Sequence, residues 1–119
     1  MSETAEVSAR KYERVRQFRR HRFDSRIQAS VFREGMITTC WGRTSEIGRD
    51  GISATLSGEL HVGEVASLEF YVPFPAQVMK LRAAVRYSRG LLCGFEFLIL
   101  TDEQKMTLSE VCSILADTH

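Results

Sequence analysis

The chain has 119 residues, 44% hydrophobic and 26% charged, which suits one globular domain with a core of its own. No apolar run approaches the ~18–20 residues of a membrane span. The opening MSETAEVSARKYERVRQFRR has no apolar core of the secretory type, so the expected location is the cytoplasm. Cys40, Cys93 and Cys112 share no CxxC spacing and sit among apolar neighbours, as small core residues do in a reducing compartment. His21, His61 and His119 are scattered and lack zinc-ligand spacing.

The net charge of +1 hides an uneven distribution. Residues 10–26 hold eight basic side chains (Arg10, Lys11, Arg14, Arg16, Arg19, Arg20, Arg22 and Arg26) against two acids. From Ile27 onward the balance reverses, with eight basic and eleven acidic residues. A basic arm on a mildly acidic body suits an anionic partner, and equally suits a solvated face.

Ala5 to Arg20 carries a weak helical pattern around Tyr12, Val15 and Phe18, short for an isolated helix. At Arg26 the period changes to two. Ile27, Ala29 and Val31 alternate with Gln28, Ser30 and Phe32, as in a strand with one buried face. Glu34-Gly35 reads as a turn, and Met36 to about Arg43 as a second strand. SEIGRDG reads as a loop, Ile52 to Leu56 as a short strand, and Ser57-Gly58 and Val62-Gly63 as turn signals.

Val65 to Val72 alternates again, and Pro73 and Pro75 end it, since proline cannot serve a central ladder. Val78–Tyr87 and Leu91–Leu98 form a hairpin around Ser88-Arg89-Gly90. Thr101 and Gln104 make a capping box for a helix over Asp102 to Leu115, with Leu108, Val111, Cys112 and Leu115 on one face. Short strands followed by one helix predict a mainly β domain, closed or nearly closed into an antiparallel barrel that removes its edges.

Arg22-Phe-Asp-Ser-Arg26, placed just before the first strand, resembles the RxxxR element of the PilZ domain family. The family's second element, [D/N]xSxxG, aligns with Glu46-Ile-Gly48-Arg-Asp-Gly51. Only Gly51 matches at the three named positions. Glu46 stands for the Asp/Asn and Gly48 for the Ser. GEVASLEFYVP and LRAAVRYSRGLLCGFEFLIL are similar to later strands of the family, so the likeness runs from about Arg16 to Leu115.

The resemblance implies a six-stranded PilZ barrel over residues 22–119, behind a basic arm or helix over residues 1–21. It implies a non-catalytic receptor for cyclic di-GMP, with no cofactor. Arg22 and Arg26 would grip the ligand, with Arg20 and Arg19 adding phosphate contacts. A guanidinium can bind guanine O6 and N7 in bidentate fashion, stack on a base or pair with a phosphate. Glu46 would accept from guanine N1–H and N2–H. Gly48 and Gly51 would shape the loop, Gly51 at a site needing positive φ or close ligand approach.

The expected output is an unidentified protein partner in motility, secretion, polysaccharide or transcription control, read through a reordered arm. One alternative is a degenerate PilZ module acting as a protein–protein adaptor. Another is a nucleic-acid-binding barrel, against which the acidic body argues. No GxSxG, HExxH, P-loop or GxGxxG signature points to an enzyme.

Overall fold

The computed structural model describes residues 18–73 and 76–117. Among the described residues there are seven strands: β1 (His21–Arg22), β2 (Arg26–Arg33), β3 (Met36–Ile47), β4 (Gly51–Leu56), β5 (Val65–Pro73), β6 (Ala76–Arg89) and β7 (Leu92–Leu98). One helix, α1 (Asp102–Asp117), follows them. The expected helix from Ala5 lies outside the described residues except at its end, where Phe18–Arg20 is not helical.

The sheet order is β1-β3-β2-β5-β6-β7-β4, and a β3–β4 pairing closes the ring, all antiparallel. Six strands thus form the barrel, and β1 is an additional short strand laid on β3 outside it.

The alternation explains the closure. Ile27, Ala29 and Val31 of β2 point inward with Ala66, Leu68, Phe70 and Val72 of β5. Met79, Leu81, Ala83 and Val85 of β6 join Cys93, Phe95 and Phe97 of β7 and Ile52, Ala54 and Leu56 of β4. Each large side chain so buried contributes about 1.5–3 kcal/mol. The Phe70 and Phe97 rings stack across the interior with centroids 6.2 Å apart. Where β3 meets β4, only glycine fits at position 42, because a Cβ there would lie 1.8 Å from the Thr55 carbonyl oxygen.

The β2–β3 turn has both central residues left-handed, Glu34 at φ 50° and Gly35 at φ 78°, the type I′ geometry that matches strand twist. The strands otherwise run longer than the sequence suggests. β3 continues through Ser45, Glu46 and Ile47, so the expected SEIGRDG loop shrinks to Gly48-Arg49-Asp50. Glu and Ser are weak strand formers, but pairing to both β1 and β4 carries them into the sheet. β6 likewise runs on to Arg89, which leaves Gly90 and Leu91 as the turn.

The capping box is complete: the Thr101 N–H donates to Gln104 Oε1 at 2.9 Å, and the Gln104 N–H to Thr101 Oγ1 at 3.0 Å. Gln104 Nε2 also donates to the Lys80 carbonyl of β6. Leu108 and Val111 bury into the barrel core, while the far end of α1 comes to rest beside β1. All three cysteines are free and buried. Among the described residues no helix is long and apolar enough to cross a membrane.

Candidate functional site

The segment between β1 and β2 keeps strand alternation although it is not regular sheet. Phe23 and Ser25 are buried, whereas Arg22, Asp24 and Arg26 face outward. Thr44 of β3 holds it in place. Thr44 Oγ1 donates to the Phe23 carbonyl at 2.6 Å and accepts from the Ser25 N–H at 2.8 Å. The Phe23 N–H reaches the Ser45 carbonyl, and the Thr44 N–H reaches the Ser25 carbonyl. Ser25 Oγ donates to the Tyr71 carbonyl of β5 at 2.7 Å. The two arginines of RxxxR therefore stand on a segment bonded on both sides.

β3 carries a bulge at the same level. Thr44 pairs with Ala54 and Glu46 with Ser53, so Ser45 is the extra residue. Without it, strict alternation would turn Glu46 inward. With it, Glu46 is exposed and Ile47 takes the buried place. Ser45 and Ser53 join their hydroxyls at 2.8 Å across the bulge. Glu46 thereby comes directly opposite Arg22 in the β1–β3 register. Neither side chain closes an ion pair with a described residue, and Arg26 closes none either.

Arg20 behaves differently. Its side chain is only 6% exposed and pairs with Asp50 at 3.3 Å. It runs across Gly48, where an added Cβ would meet Arg20 Cδ at 2.9 Å and the Arg19 carbonyl oxygen at 3.0 Å. The Gly48 N–H closes the β3–β4 turn onto the Gly51 carbonyl, and the Phe97 N–H holds the Asp50 carbonyl. Arg49 lies over the Phe18 ring at 4.8 Å, a cation–π contact.

An open cleft of about 270 Å³ results, lined by Arg19, Arg20, His21, Arg22, Glu46 and Ala116. Three arginines and one carboxylate give it a cationic character with a single acceptor. A second depression of about 310 Å³ lies over β2, β5 and β6. It mixes Glu69 with Lys80 and Arg82 and includes no residue of either motif, so we place no site there.

The structure thus brings Arg20, Arg22 and Glu46 to one cleft, with Gly48 beneath Arg20. Arg26 stands on the same outer surface two residues beyond Asp24. Gly51 is the exception. It is paired to Glu96 at the start of β4 and is not among the residues of positive φ, so it serves as buried strand backbone there. The two arginines nearest Glu46 in sequence are engaged elsewhere. Arg43 Nε bonds Asp24 at 2.7 Å, and Arg49 is taken by Phe18. Asp50, Thr44 and Ala116 escaped the sequence reading, because their roles depend on contacts between distant segments.

A family model described as PilZ domain matches residues 10–113. The chain belongs to the PilZ domain family. PilZ is a family of cyclic di-GMP receptors, and the RxxxR alignment lies inside the matched range. Solved PilZ structures share the fold. The PilZ domain of YcgR from Escherichia coli, solved with c-di-GMP, is 13% identical with a TM-score of 0.65, over 87% of this chain and 93% of that one. The PilZ domain of CeSA from a cellulose-synthesizing bacterium is 12% identical with a TM-score of 0.61, over 84% and 97%. The Bacillus subtilis inhibitor of motility, MotI/DgrA, is 17% identical with a TM-score of 0.64 over 82% of this chain. The PilZ chain described here spans about half of that protein's length, 49%. No curated protein matched by sequence.

Proposed function

We propose that this PilZ domain is a non-enzymatic receptor for cyclic di-GMP that passes the signal to a protein partner by rearranging the segment ahead of β1. The observation that carries this reading is the placing of Arg22 opposite Glu46 on the outer face, with Arg26 standing on the same face. Two guanidinium groups that close no ion pair among the described residues can take a guanine edge or a phosphate, and the facing carboxylate can accept from guanine N1–H and N2–H. Arg20 and Arg19 add positive charge at the same cleft, suited to the second phosphate. Family membership supports the choice of ligand.

A second reading has one specific observation in its favour. The place aligned with the family's serine is Gly48, and Arg20 lies over it. A domain closed in that way would act as an adaptor without nucleotide. Calorimetric titration with cyclic di-GMP at physiological salt separates the two, with GTP as the specificity control and Arg22→Ala and Arg26→Ala as variants. Micromolar or tighter binding, lost in both variants, is expected. A folded protein that gives no heat at high ligand concentration overturns the receptor reading and leaves the adaptor.

A further inference from the structure

The outer face of the β2–β3 hairpin carries Arg26 of the first motif and, beside it, residues that belong to neither motif. Arg26 is directly opposite Arg43 in register, and Gln28 is directly opposite Trp41. Two like charges placed in this way destabilise a sheet. Asp24 relieves one of them by bonding Arg43 Nε, while Arg26 has no ionic partner among the described residues. An anion seated between the two guanidinium groups would offset their repulsion.

Trp41 is the one tryptophan of the chain and is 60% exposed. A single exposed aromatic is ordinary on a protein surface, but the backbone that carries this one is held. The Ser57 N–H donates to the Trp41 carbonyl at 2.7 Å, and the Trp41 N–H to Ser57 Oγ at 3.1 Å. Trp41 and Arg43 project from the same face two residues apart, about 7 Å along the strand. That spacing is comparable to the separation of base and phosphate within one nucleotide.

We propose that Trp41 and Arg43 extend the ligand site of this PilZ domain, Trp41 as a stacking surface for a guanine base and Arg43, with Arg26, as a phosphate clamp. This rests on the receptor reading above. The indole supplies a flat π-face of the kind that stacks nucleobases. Arg43 is held by Asp24 in the unliganded protein, and the phosphate takes Asp24's place as its anionic partner.

Two readouts on the same samples test it: calorimetry for binding and tryptophan emission for the position of the base. Cyclic di-GMP is expected to quench Trp41 emission in step with the calorimetric isotherm. Trp41→Leu is expected to weaken binding about tenfold, with circular dichroism and thermal melting confirming the fold. Arg43→Ala should weaken binding similarly. Asp24→Asn, which frees Arg43 and removes a repelling carboxylate, should tighten it about threefold. Calorimetric binding with unchanged emission, and wild-type affinity in Trp41→Leu and Asp24→Asn, overturns the extension and leaves the receptor reading intact. Absence of any heat in the wild-type protein overturns both.

Discussion

Arg20 lies across Gly48 so closely that a single added methyl group would meet its Cδ at 2.9 Å. The glycine and the arginine therefore depend on each other: the missing side chain makes the bed in which the Arg20–Asp50 pair is held. Gly48→Ser would restore the family's serine and push Arg20 off. The crowding should cost about 1–3 kcal/mol of stability, read as a lower thermal midpoint. The new hydroxyl and the released Arg20 should together tighten cyclic di-GMP binding by up to about tenfold. Opposite signs in melting and titration are the expected signature. Lower stability with no gain in affinity would show that the serine position is silent in this protein.

Thr44 does not line the cleft, yet it should matter to binding. Thr44→Val keeps the shape but strips the Phe23 carbonyl and the Ser25 N–H of their partner. A buried group left unsatisfied costs about 1–3 kcal/mol. Denaturant unfolding should show that loss. Titration should show weaker binding, since Arg22 and Arg26 flank the loosened segment.

Acid should weaken the fold through Glu64. Arg33 clasps this carboxylate through Nε and Nη2, each at 2.6 Å. The Arg33 hydrogen bond lowers the Glu64 pKa from 4.5 to about 2. A folded pKa below the unfolded one means that stability is fully present above about 4.5 and is lost as pH falls toward 2. Comparing unfolding at about pH 6 and about pH 3, Glu64→Gln should remove part of the wild-type pH dependence. An identical acid profile in the variant would place that dependence elsewhere.

The thiols of the core should be inert in the native state. Burial pushes Cys93 up to about 12 and Cys112 up to about 11, and the thiolate is the reactive form. Iodoacetamide at neutral pH, followed by mass spectrometry, should leave both unlabelled until denaturant is added. Fast native labelling of Cys112 would mean that α1 lifts from the barrel.

Much of the fold was legible because its signals are local. The alternation of Ile27, Ala29 and Val31 and the Thr101–Gln104 capping box each need fewer than ten neighbouring residues, and both appear as expected. The reach of β3 was not legible, because the bulge at Ser45 breaks the alternation just where Glu46 must face outward. The chemistry of Glu46 and Arg22 could be named, but their face-to-face placing depends on β1 folding back onto β3. The Arg26–Arg43 opposition, by contrast, lies latent in the sequence. A two-residue turn at Glu34-Gly35 fixes the register from Arg33–Met36 down to Arg26–Arg43. Counting outward from that turn would have found it. Nothing comparable announces that Asp24 reaches Arg43, or that Arg20 is drawn down by Asp50, since side-chain pairing across strands is decided by rotamers.

The small strand β1 sits outside the closed ring and is held by two residue pairs, His21 with Ile47 and Arg22 with Glu46. Peeling it away breaks no rung between barrel strands. Swinging the entry segment thus costs the Arg20–Asp50 pair and the packing of β1 beside α1 but no barrel rung, so the barrel remains a rigid reference. In hydrogen exchange the amide of His21 should lose protection orders of magnitude sooner than those of Leu68 or Phe95, and an added ligand that bridges Arg22 to Arg26 should slow the first alone.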